Sequence, residues 1–101
     1  EINELRVNIA AAGKWALRMA ARNGHLEVVN RVLEIAEVRA NAAEDKLVLI
    51  WAAERGHLKV VNRLLEIDGV RANAAADDND ALRLAAADGH SEVVHALAKA
   101  Q

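Results

Sequence analysis

The chain has 101 residues, the size of one small domain, and its 13 Lys and Arg against 15 Asp and Glu leave a net charge of −2. It contains no cysteine, threonine, tyrosine, phenylalanine or proline and a single serine, Ser91, which excludes disulfides, thiolate metal sites and thiol nucleophiles and nearly excludes covalent hydrolases. No basic run offers a footprint for phosphate backbones, two tryptophans are too few for a base-stacking platform, and no apolar stretch approaches the roughly 18 residues of a membrane span.

In chain order, Leu5-Arg6-Val7-Asn8-Ile9-Ala10 leads into Ala11-Ala12-Gly13, which reads as a first turn. Ala16–Ala21 is expected as a short helix that Gly24 stops by taking a positive φ. A second helix follows, because Leu26, Val29, Val32 and Leu33 form an apolar stripe of helical period. On its outer side Glu27 and Arg31 are placed for an i,i+4 pair worth a few tenths of a kcal/mol. Val38-Arg39-Ala40-Asn41-Ala42-Ala43 lacks that stripe and is expected as an extended turn, with its alanines able to add a helical turn instead.

The same order then returns. Gly24-His25-Leu26-Glu27-Val28-Val29 recurs as Gly56-His57-Leu58-Lys59-Val60-Val61 and as Gly89-His90-Ser91-Glu92-Val93-Val94, 32 and then 33 residues on. Val38–Ala43 recurs as Val70–Ala75. The 23 alanines among 101 residues point to helix backbones packed closely in layers, the easier solution for a chain too short to bury a thick core. The expected organisation is one domain over 1–101. It comprises a partial repeat tail and first turn (1–13), repeat 1 (14–45), repeat 2 (46–78) and a C-terminal capping repeat (79–101).

Asp80-Ala81-Leu82-Arg83, Ala85-Ala86, Gly89-His90 and Gly69-Val70-Arg71-Ala72-Asn73-Ala74 together match the TPLH-like start, Ala-Ala, Gly-His and closing G-A-x-V-N-A of a known unit. Over essentially its whole length the chain resembles an ankyrin repeat protein. The resemblance implies an all-α solenoid of three stacked helix-turn-helix repeats with a partial N-terminal repeat, turns projecting to one side, and a role in binding other proteins. Ala16, Val48 and Ala81 replace the family's Pro, and the closing Gly survives only at Gly69. The near-identity of the units, the mid-unit start and the missing proline suggest an engineered or computationally designed member.

The remaining chemistry is sparse. His25, His57 and His90 stand at one equivalent place per unit, roughly 10 Å apart in such a stack, too far to share a metal bound near 2 Å. Each is expected to hydrogen-bond across its turn. Asp77-Asp78-Asn79-Asp80 lacks the Gly and terminal Glu of a calcium loop and reads, like Glu44-Asp45, as a solvated turn that caps the next helix. No cofactor, metal, nucleic acid, membrane or small-molecule substrate is expected, and the chain reads as a cytoplasmic or recombinant non-enzyme.

Three copies in one chain serve as an internal control. The last unit turns polar, with Ser91 for Leu58 and Lys99 for Glu66, as a cap should. The first two change the other way. Trp15 and Leu47 stand where the third copy has Asp80, Ile50 stands where the others have Arg18 and Arg83, and Ile9 replaces Ala42 and Ala74. Trp51 aligns with Met19 and Leu84. Ile9, Trp15, Leu47, Ile50 and Trp51 are therefore expected to form one apolar patch on the turn and inner-helix face, with Lys14 and Lys46 at its rim. The uncapped N-terminal face is left to Leu5 and Val7. The expected use of the patch is self-association into a symmetric homo-oligomer, a dimer first. The alternative is a monomeric module that binds a different protein, as a natural effector fragment or a selected binder.

Overall fold

The computed structural model describes the backbone of residues 2–76 and 79–101 and the side chains of residues 11–74 and 79–101. Eight helices and no strand make up the described residues: α1 (Ile2–Arg22), α2 (Leu26–Val32), α3 (Ala36–Ala42), α4 (Lys46–Glu54), α5 (Leu58–Leu65), α6 (Asp68–Ala76), α7 (Asp80–Ala87) and α8 (Ser91–Lys99). Helices α1, α4 and α7 lie side by side, and α2, α5 and α8 form a second row behind them. Helix α3 packs on α1, and α6 on α4 and α5. The stack is 46 Å in its longest dimension.

Each inner helix closes in the same way. Gly24, Gly56 and Gly89 take φ of 73°, 75° and 76°, and the next residue's amide reaches back five residues: His25 to Ala20, His57 to Ala52 and His90 to Ala85, at 2.9–3.0 Å. This Schellman closure satisfies carbonyls that the helix end leaves free, and it turns the chain sharply enough for the outer helix to begin at once. Alanines make the turn compact. Ala21, Ala52, Ala53 and Ala85 are wholly buried, so neighbouring backbones approach closely, and Leu17, Leu33 and Leu64 fill the remaining space. Each such leucine stabilises the fold by roughly 2 kcal/mol through burial.

The linking segments depart from the extended turns expected of them. Val38–Ala42 lies in α3 and Val70–Ala76 in α6, so each of the first two units carries a third helix. The cause is local. Alanine is the strongest helix former, no proline interrupts, and Val38 with Ala42 makes a buried i,i+4 pair. Arginine then fixes the corner: Arg39 donates to the Leu33 carbonyl at 3.2 Å and Arg71 to the Leu65 carbonyl at 3.1 Å, capping the preceding outer helix.

The first turn is absent for a related reason. Ala11-Ala12-Gly13 runs inside α1, continuous with the expected short helix at Ala16–Ala21. Gly13 is buried there because Val38 sits against it; a side chain at this position would overlap the valine methyl. The expected surface pair Glu27–Arg31 is also replaced, with Arg31 lying 3.9 Å from Glu34.

Units are joined along their whole height. The His57 imidazole lies over Gly24, and its Nε2 donates to the Arg22 carbonyl at 2.9 Å, a bond to the preceding unit and not across its own turn. Arg63 Nε donates to Asn30 Oδ1 at 2.8 Å between outer helices, and Asn73 Nδ2 to the Ala43 carbonyl at 2.6 Å between third helices. His90 repeats the contact over Gly56. At the first unit, in front of which none of the described helices packs, the same position opens to water: Val28 is 45% exposed, while its equivalents Val60 and Val93 are each 1% exposed.

Gly56 and Gly89 share a left-handed backbone, but only Gly56 has a histidine ring resting on it. Gly89→Ala is therefore expected to cost roughly 1–2 kcal/mol, the ordinary penalty of a Cβ in that conformation. Gly56→Ala should cost measurably more, because the His90 ring must also move. Urea unfolding of the two variants, read by circular dichroism, checks this; equal losses would mean that the ring contributes nothing to the stack.

Candidate interaction surface

On α1, Trp15, Arg18, Met19 and Arg22 fall at i, i+3, i+4 and i+7 and so lie along one side of the helix, opposite the buried Leu17, Ala20 and Ala21. Trp15 is 55% exposed and Met19 41%, the two most exposed large apolar side chains of the inner row among the described residues. On α4 the corresponding positions are Leu47, Ile50, Trp51 and Glu54, all half-buried. On α7 they are Asp80, Arg83, Leu84 and Ala87.

Two arginines fix the indoles. Arg18 makes a two-pronged bond to Asp45, Nε to Oδ2 at 2.8 Å and NH2 to Oδ1 at 3.0 Å, with only 13% and 6% of the two side chains exposed. The guanidinium thus held lies 4.9 Å from the Trp15 ring centroid. Arg22 stands 5.6 Å from the Trp51 ring centroid, spanning the junction of α1 and α4. Both contacts attract through the ring quadrupole and limit the motion of the aromatic rings. The result is a pre-ordered apolar surface, suited to contact and stacking.

The expected patch is brought together only in part. Trp15 sits at its exposed edge and Trp51 beside it under Arg22. Leu47 lies half-buried between the Trp15 and Asp80 positions. Ile50 packs against the core and lines a narrow groove between α4 and α7 with Leu49 and Val70. Its position is turned toward the following unit, which is why Arg18 at the same place reaches Asp45 and why Arg83, against which none of the described helices packs, is exposed. Ile9 lies in α1, and its side chain is outside the described residues.

The first unit adds Met19, which aligns with the apolar Trp51 and Leu84 of the later units. Its exposure follows from standing at the stack's open end beside Trp15. The Arg18–Asp45 bond joins residues 27 apart, and Asp45 reads in the sequence as a helix cap. Asp45 does occupy the N-cap position of α4 but makes no side-chain capping bond; its carboxylate is taken by Arg18. Asn79, at φ 58°, starts α7, and Asp80 pairs with Arg83 one turn on, also without capping. Asp77 and Asp78 lie outside the described residues.

Elsewhere the surface offers little. A cleft of about 400 Å³ between α1 and α3 is lined by Lys14, Asn41 and Glu44 along with apolar groups. Among the described residues no three His, Asp or Glu are grouped to hold a metal ion, and no helix is long and apolar enough to cross a membrane.

A family model described as ankyrin repeats (3 copies) matches residues 7–101. No curated protein and no solved structure matches the chain.

The second junction has Ile50 where the first has Arg18, so the two junctions show two ways of filling one place. Arg18→Ile alone strands the buried Asp45 carboxylate and is expected to cost about 3 kcal/mol. Adding Asp45→Ala should restore most of that loss. Denaturant unfolding of the single and double variants measures the coupling; strictly additive losses would mean that the pair is not an energetic unit.

Proposed function

The chain belongs to the ankyrin-repeat family, and from that premise we propose that it is a non-enzymatic interaction scaffold whose α1–α4 inner face is its contact surface, with a second copy of the chain as occupant. Ankyrin repeats are generally protein-interaction modules. The observation that carries the assignment to this face is Trp15: a large side chain, 55% exposed, yet pinned on a guanidinium that Asp45 already neutralises. A rigid, half-desolvated indole loses little conformational freedom when a partner covers it, which is the property of a binding anchor.

Self-association is supported by the overall charge. At −2, copies of the chain repel one another weakly, and the apolar stripe Trp15, Met19, Leu47 and Trp51 is then free to drive contact. Two-fold closure is the commonest symmetry for such an assembly. The family's general role favours the second reading, a monomer that binds a different protein through the same face. No Cys, Thr or Tyr is present, which leaves only Asp, Glu, His, Lys and the single Ser91 for any chemistry.

Molecular mass separates these readings. The self-associating chain is expected to sediment above monomer mass at tens of micromolar. Trp15→Ala should weaken that assembly about 30-fold or more, as loss of a tryptophan anchor does, without changing helicity. A monomer at every concentration would remove the second copy as occupant and leave the scaffold role to a different partner.

A further inference from the structure

The inner row is electrically lopsided. The α1 portion carries Lys14, Arg18 and Arg22 with no acid between them, and with Arg18 neutralised by Asp45, Lys14 and Arg22 remain without an ion-pair partner among the described residues. The middle helix, α4, carries Lys46 and Glu54, followed by Arg55. The third, α7, carries Asp80 and Arg83, which pair with each other, and is closed by the exposed Asp88. Positive charge, from Lys14 and Arg22, thus lies at one end of the row, and with Asp80 paired to Arg83 the other end is negative by one charge, that of Asp88.

We propose that two copies pack inner face to inner face about a two-fold axis running along α4, so that the first unit of each lies on the third unit of the other. The proposal rests on the self-association reading above and adds its geometry. The axis is chosen by charge. For faces to meet, a two-fold must lie in the contact plane, and the helices of the two copies stay in line only when it runs along the inner helices or along the stack. An axis along the stack sets α1 on α1 with direction reversed, bringing Lys14 of one copy to Arg22 of the other. The axis along α4 keeps helix direction and exchanges the ends. Lys14 then meets the Asp80 of the second copy, Arg22 meets its Asp88, and Met19 meets its Leu84.

At the axis itself each position faces its own copy, and the residues there suit this. Leu47 and Trp51 are apolar. Glu54 adjoins Arg55, a pair that is self-complementary across a two-fold, and Lys46 lines the groove toward α7 beside Asp80, away from its counterpart. Trp15 is covered at the outer edge against the start of α7. Opposite charges at both ends set the register, and the apolar centre supplies the contact.

Charge exchange tests the geometry on the 101-residue chain. Lys14→Glu with Arg22→Glu makes both ends of the face acidic; Asp80→Lys with Asp88→Lys makes both ends basic. Each double variant alone is expected to lose self-association at least tenfold, and an equimolar mixture to recover dimer mass, since both ends of the mixed pair are then complementary. The wild-type dimer should weaken as salt rises. If each variant self-associates as tightly as wild type, or if the mixture stays monomeric, the axis is wrong while self-association stands. A monomeric wild type overturns both. Should a double variant lose helicity, Lys14→Glu and Asp80→Lys, which exchange the charges of one facing pair, repeat the test singly with the same expected recovery on mixing.

Discussion

The stack depends on a histidine ring resting on the glycine of the unit before it. Gly24 and Gly56 take a left-handed backbone to end their helices, and that same conformation, without a Cβ, leaves the recess that His57 and His90 occupy. One residue type therefore settles two matters at once: where a helix ends and how far away the next unit sits. With that separation set, wholly buried alanines serve as spacers between helices, and leucines and valines such as Leu17, Leu33, Leu64, Val29 and Val61 fill the space that remains. The recurrence of the Gly-His pair has a structural reason here, because both junctions present the same recess to the ring that follows.

Within that frame the two junctions are filled differently. The first carries polar ties at every level, from Arg18–Asp45 on the inner row through His57 to Arg63–Asn30 on the outer row and Asn73 on the third helices. The second has Ile50 in place of Arg18 and Ala96 in place of Arg63, and closes with apolar contact among Leu49, Ile50, Val70 and Ala81. Polar ties need both partners, so they fix register; apolar filling tolerates small slips. The better-tied junction is also the one beneath the exposed indole. Asp45 orders Arg18, and Arg18 orders Trp15, so a cross-unit bond that helps to hold the stack also prepares its surface.

Position in the stack decides what equivalent residues do. Val28, Val60 and Val93 are the same residue in the same helical register, yet the first is exposed and the others buried, because only they have a unit in front of them. Arg18, Ile50 and Arg83 show the reverse at the far side. Solenoids make this unavoidable, since each unit supplies half of two different contacts and the terminal units keep one half open. Trp15 and Ile50 both break the pattern of the copies, and substitution alone does not distinguish a side chain aimed at water from one aimed at the following unit. For that reason Ile50, grouped with Trp15 by its substitution pattern, is found packed in the groove.

The sequence alone determined the repeat, the all-helical class, the glycine closures and the apolar stripe of the outer helices, because each rests on interactions within a few residues: a helical period, a positive φ, an alanine-rich core. It left the linking segments open between turn and helix, and α3 and α6 formed because Val38 and Val70 found buried places that a local reading does not contain. Only the tertiary structure decided that Asp45 belongs to Arg18 and not to its own helix end, that Gly13 is a contact with Val38 and not a turn, and that Met19 is exposed. Each of those outcomes turns on a neighbour distant in the chain, and a sequence fixes such a neighbour's position only through the packing of everything between.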